Sequence, residues 1–309
     1  LSSIETAIGA AASGDNIELM SAMAVSVSAV DSILGTAGTD SVVLMAADTV
    51  KVSMIDTVRG SSGADTVVML GDDVPVTVSL IETVVGSAGT DTIALAGIGS
   101  VAISAIESVV GSGVQDAVKL LATGSVGVTN VDTVIGTAGA DTVTILGSGP
   151  AVYVSSIESV VGTTATGEIV KLMGATAISV SAIEQVQGTV GAGDSVAMIG
   201  GTAVSVSVTN IEFALGTTAS GDVVVMMGAG TLSVSAVETV LGSVGADVVN
   251  MSADGATLTV SGVETVIGTA ATDSVEILTG GGLSVSNVEV VTGTSTSIEI
   301  VQLLAPSTL

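Results

Sequence analysis

The residues of this chain able to do chemistry are nearly all carboxylates, and they are placed by rule. Twelve glycines recur at intervals of 25 to 28 residues: Gly9, Gly35, Gly60, Gly86, Gly111, Gly136, Gly162, Gly188, Gly216, Gly242, Gly268 and Gly293. Four residues before each stands an acid: Glu5, Asp31, Asp56, Glu82, Glu107, Asp132, Glu158, Glu184, Glu212, Glu238, Glu264 and Glu289. Five or six after each stands another: Asp15, Asp40, Asp65, Asp91, Asp116, Asp141, Glu168, Asp194, Asp222, Asp247, Asp273 and Glu299. The two columns hold 24 of the 30 Asp and Glu residues, so the formal net charge of −26 is ordered along the chain.

Carboxylates in columns suit cation binding or paired acid/base work. Histidine and cysteine are both absent, which excludes imidazole and thiol chemistry, disulfides and Cys/His zinc sites. Acids stacked coil upon coil at about 4.8 Å would repel by roughly 1 kcal/mol per adjacent pair in water, and a cation would relieve the column. Ca2+ is the natural choice, because it accepts carboxylate and carbonyl oxygens in flexible number. One such ion per repeat would nearly cancel the charge of −26. The expected metal ligands are the downstream acids Asp40, Asp65, Asp91, Asp116, Asp141, Asp194, Asp222, Asp247 and Asp273. The upstream acids are expected to be outward charge that keeps the chain soluble and discourages sideways sheet pairing.

Acid/base catalysis is the other reading, since β-helices also carry polysaccharide-acting enzymes with paired carboxylates. Such sites break the repeat with long loops and add aromatic or basic platforms. This chain has one Tyr, one Phe and no Trp, and its basic residues are Lys51, Arg59, Lys119 and Lys171. Only Asp72 and Asp73, beside Pro75, stand out locally, and no enzyme is expected. So few cations also exclude nucleic acid and anionic membrane surfaces as partners.

The elements that position the acids follow from the columns around them. A regular period of this length is the signature of a solenoid. Eight before the glycine the residue is always aliphatic (Val27, Val52, Val78, Ile103 and so on), followed each time by Ser or Thr, the period-2 pattern of a half-buried strand. Five before the glycine is a second aliphatic column, from Ile4 and Val30 to Val288. Between them lies a position holding Ala, Asn, Ser, Gly, Met or Leu, including Asn130, Asn210 and Asn287, where a left-handed corner fits. After the glycine turn, apolar residues stand two and four beyond the acid, as Ile93 and Leu95 follow Asp91.

Three strands and three corners in 25 to 26 residues describe an all-β, three-sided parallel β-helix of about twelve coils, filling residues 1–309 as one domain. Twelve coils would make a rod on the order of 55 to 60 Å long. The extra residues of the long repeat fall near Gly200 and Gly201 and are expected at a corner. No run of about 18 apolar residues occurs, so no membrane span is expected. Neither end reads as a polar cap, and continuation into further protein or end-to-end self-association is expected.

The turns Gly35-Thr36-Ala37-Gly38-Thr39-Asp40, Gly86-Ser87-Ala88-Gly89-Thr90-Asp91 and Gly136-Thr137-Ala138-Gly139-Ala140-Asp141 resemble the G-G-x-G-x-D-x-U-x nonapeptide of RTX, or haemolysin-type, calcium-binding repeats. The phrases Ile81 to Gly86 and Val131 to Gly136 look like segments that precede such turns in large secreted β-solenoid surface proteins. The resemblance implies calcium, type I secretion from a Gram-negative bacterium, and an extracellular or cell-surface location. This chain departs from the pattern in three ways. The family's second glycine is Ser or Thr in eleven repeats and Ala10 in the first. The acid is one position later at Asp15, Glu168, Asp194, Asp222 and Glu299. The turns come once per repeat and not in tandem.

The function expected is structural: a surface-layer, filament, matrix or adhesin-stalk solenoid with calcium-dependent stability, its partners divalent cations, further copies or cell-surface polysaccharide. The alternatives are a polysaccharide-acting enzyme and an ice-binding solenoid. The latter rests on the hydroxyl column, beside a position that varies through Lys51, Ala102, Gly127 and Tyr153.

Overall fold

A computed structural model describes the chain apart from residues 2, 11–13, 72–74, 98, 114, 148–150, 165–166, 192, 280, 295–298 and 305–309. The described residues form strands and no helix. The chain divides into two compact units, Leu1–Ile157 and Glu158–Leu309, and each is a parallel β-solenoid.

Among the described residues each repeat after the first contributes the three strands expected of it. In one they are Thr49–Ser53, Thr57–Arg59 and Thr66–Met69. Val50, Val52, Val58, Val67 and Met69 point inward and are buried, while Thr49, Lys51, Thr57 and Thr66 alternate outward. β-branched residues favour this pleated, half-buried surface.

The expected third face is absent from the strand pairing. In the first unit Ser41–Leu44 pairs in parallel with Thr57–Arg59, then Val76–Ser79, then Thr92–Leu95. The strands between them, Thr49–Ser53, Thr66–Met69 and Thr83–Val85, pair with one another. In the second unit Ala177–Ser181 pairs with Ser195–Met198 and then Phe213–Leu215, while Gln185–Gln187 pairs with Ser205–Thr209 and then Val223–Met226. Successive strands thus alternate between two walls. The three-sided coil of 25 to 26 residues is corrected to a flattened, two-walled one: Ser41 meets Thr57 after 16 residues, and Thr57 meets Thr77 after 20. Three strands shared between two walls wind each repeat through one and a half turns. Aliphatic rows from the two walls fill the ~10 Å between packed sheets without aromatic help.

The left-handed corners fall at the expected column. Ser3, Ala29, Met54, Leu80, Ala105, Asn130, Ser156, Ala182, Asn210, Ala236 and Asn287 all have φ between 51° and 57°, and Gly262 has 64°. A left-handed conformation costs a non-glycine residue roughly 1–2 kcal/mol, and Asn bears it best. Leu80, 57% exposed, packs little there. Leu80→Asn is therefore expected to raise stability by up to about 1 kcal/mol, read as a higher urea midpoint.

The twelve spaced glycines answer a different demand, since none of them has positive φ. A Cβ on any of the first eleven would land on the carbonyl oxygen of the left-handed corner residue in the next repeat, as Gly136 would on Ser156 and Gly216 on Ala236. Their N–H groups donate to the residue just before that corner, Gly136 to Ser155 at 2.9 Å and Gly216 to Ser235 at 2.8 Å. Glycine is needed for close approach of backbone to backbone. Gly200 and Gly201 lie between Ser195–Met198 and Ser205–Thr209, so the long repeat carries its insertion at a corner, as expected.

Candidate functional site

The nine aspartates expected to bind metal are all buried, with exposures of 0% or 1%. Asp222 represents them. One of its oxygens, Oδ2, accepts the Thr217 N–H at 2.6 Å and the Thr217 hydroxyl at 2.8 Å. The other, Oδ1, accepts the Val204 N–H at 2.7 Å from the adjoining coil. Its own N–H donates to Glu238 Oε2 at 2.8 Å, one coil further on. The side chain thus ties a strand end to its own turn and to the coil before it, while the backbone engages an upstream acid in the coil after it.

The arrangement recurs with little variation. Thr36 and Met23 serve Asp40, Ser61 and Asp48 serve Asp65, and Thr137 and Gly124 serve Asp141. Asp194 uses Thr189 and Thr176, Asp247 uses Ser243 and Gly230, and Asp273 uses Thr269 and Ala256. Asp91 and Asp116 keep the bonds from Ser87 and Ser112, while among the described residues their buried Oδ1 atoms have no partner. Asp72 and Asp73 lie outside the described residues.

The two-walled winding also changes the spacing of the acids. A given strand type returns to the same wall only at every third layer, as Ser41–Leu44 gives way to Thr57–Arg59, Val76–Ser79 and then Thr92–Leu95. Asp40 and Asp91 are therefore about 14 Å apart along their corner, not 4.8 Å, which cuts their mutual repulsion about threefold. The nearest acid is of the other column, Asp56 beside Asp40, and the Asp40 N–H points at its Oδ2 from 2.7 Å. The unbroken stack of like charges that called for a counter-ion does not form.

The upstream acids do more than carry outward charge. Asp31, Asp56, Glu82, Glu107, Asp132, Glu184, Glu212, Glu238, Glu264 and Glu289 each accept the N–H of a downstream acid. The sequence carries this signal as a narrow offset between the columns, 16 residues from Asp40 to Asp56 and from Asp222 to Glu238, 17 from Asp65 to Glu82 and 18 from Asp194 to Glu212. It also carries the hydroxyl after eleven of the twelve glycines, the donor that meets the acid within the turn.

Hydrogen bonding favours the ionised form at Asp31, Asp141 and Glu168. The N–H groups of Asp15 and Gly14, assisted by Lys51, lower the Asp31 carboxyl below its ordinary range. Burial would raise Asp141, but the Thr137 N–H and hydroxyl and the Gly124 N–H outweigh it and lower the group. Glu168 is likewise lowered, burial being outweighed by bonds led by the Thr163 hydroxyl. A depressed folded pKa adds stability that is full above the unfolded carboxylate range and is lost as pH falls through the folded value. The melting temperature is therefore expected to hold from neutral pH to about pH 5 and to fall as pH drops below ~4, and a flat profile would contradict the hydrogen-bonded charges.

Residues 126–144 match the family model of the RTX calcium-binding nonapeptide repeat (4 copies). The matched segment contains Asp132, Gly136, Gly139 and Asp141. No curated protein and no solved structure matches the chain. The match and the fold together support an RTX-repeat β-solenoid protein, and the ion they imply is Ca2+. Calcium takes six to eight oxygen ligands. Around the turn aspartates the converging groups are N–H and O–H donors, and among the described residues no three acids come together as a metal-holding group. The donor set at the turns does not fit the ion.

Proposed function

We propose that the chain is a non-catalytic structural solenoid within a secreted or cell-surface protein of the surface-layer, filament, matrix or adhesin-stalk kind. The observation that carries this reading is that the chain's most reactive residues are spent on architecture. Seven buried aspartates have both side-chain oxygens engaged in joining coils, which leaves them unsuited to proton transfer. The outward strand positions are mostly Ser, Thr, Val and Ala, repeated on each wall, which suits a spacer or scaffold that meets neighbours over a long surface. Export by type I secretion from a Gram-negative cell, and partners among further copies, divalent cations and surface polysaccharide, belong to the same proposal.

Protease shaving of intact producing cells tests it. The expected result is release or loss of the chain from the surface while cytosolic markers survive. Retention of the whole chain in the cytosol would sink the reading.

A further inference from the structure

The calcium implied by the match and the donors that converge on the turn acids point in different directions. We propose that the turn aspartates of this chain are hydrogen-bond staples, their charge balanced by N–H and O–H groups of the fold and not by a calcium ion. It rests on the structural reading of the repeat and not on where the protein resides, so a failed localisation experiment would leave it standing.

Three observations carry it. The first is the exchange of the pattern's second glycine for Ser or Thr in eleven repeats. In the described turns that hydroxyl is spent on the acid: Thr36, Ser61, Thr137, Thr189, Thr217, Ser243 and Thr269 donate to the buried carboxylate at 2.7 to 2.9 Å. Each such donor occupies a lone-pair site of the oxygen and offsets part of its charge, which leaves the carboxylate less to offer a cation. The second is that the same oxygen also takes the N–H of that residue, and the opposite oxygen an N–H from the adjoining coil. A cation at Asp222 would have to turn aside the Thr217 N–H, the Thr217 hydroxyl and the Val204 N–H, and would then face the positive ends of those dipoles. The third is spacing: turn acids recur on one corner only at every third layer, each beside a single upstream acid that accepts its N–H, so the unbroken like-charge column that an ion would be recruited to neutralise does not form.

Two variants of the full chain separate the possibilities. In the first, Thr189→Val, Thr217→Val, Ser243→Ala and Thr269→Val are combined, so that every carboxylate oxygen remains and four hydroxyl donors are lost. In the second, Asp222→Asn removes one charge. Melting curves are recorded for wild type and both variants at neutral pH, in millimolar CaCl2 and in chelator. The expected result is that wild type shifts by no more than ~2 °C between the two conditions, while each variant melts lower by the same amount in both.

A calcium-dependent rise of ~10 °C or more that shrinks in Asp222→Asn would overturn the proposal. So would a loss in the hydroxyl variant that calcium cancels. A calcium-dependent rise that persists at full size in both variants supports it, since the ion would then sit on oxygens other than those of the turn column.

Discussion

Gly136→Ala is expected to be among the most damaging single substitutions available to the first unit, costing roughly 3–5 kcal/mol and lowering the urea midpoint accordingly. The added Cβ would land on the Ser156 carbonyl oxygen and lie 2.8 Å from both Asp141 Oδ2 and the Ile157 side-chain tip. The first of these is main chain, held where it is because Gly136 itself donates to Ser155 at 2.9 Å. Relief would require two coils to part, breaking the strand-end bond and tilting Asp141 away from Thr137. Gly124→Ala is the control: its Cβ would meet nothing within 4 Å, and it is expected to change stability by no more than about 0.5 kcal/mol. Equal effects at the two sites would show that loss of backbone freedom, and not the contact between coils, governs these glycines.

Asp222→Ala is the second large effect, expected to cost roughly 3–5 kcal/mol. It leaves the Thr217 N–H, the Thr217 hydroxyl and the Val204 N–H without an acceptor in a place the side chain had kept from water. An unmet buried donor costs about 1–3 kcal/mol, and water entering the vacated space recovers part of that. The loss should be read from urea unfolding at neutral pH in chelator, so that no ion contributes. A cost below about 1 kcal/mol would mean that the carboxylate is dispensable and the turn holds itself.

These positions also show what the sequence disclosed and what it withheld. Inward rows such as Val50, Val52 and Val58 were legible because burial follows side-chain alternation, which is a local property of a strand. The left-handed corner at Leu80 or Asn130 was legible from the company it keeps: a column that admits Asn and Gly between two strict aliphatic columns. The number of walls was not legible. The period of a motif belongs to the chain, whereas the length of a coil belongs to the pairing, and pairing of Ser41 with Thr57 or Thr57 with Thr77 leaves no mark within one repeat. The role of Gly136 was hidden for the same reason, because what it must avoid, the Ser156 carbonyl, lies a coil away. The order of the acids was legible, but their hydrogen-bond partners were not. Their partners are mainly backbone N–H groups, which every residue but proline carries and which no side-chain pattern can display.

The half-turn left over by each repeat has a consequence for how such a chain can lengthen. Inserting or deleting one repeat would carry every later copy of the motif across to the opposite wall, whereas adding or removing two would bring each back to the side it left. A feature that must stay in line along one wall, whether a hydroxyl row or a place where a neighbour rests, is preserved only by changes in even numbers. Length within either unit is therefore counted in pairs of repeats, and odd steps exchange its two walls.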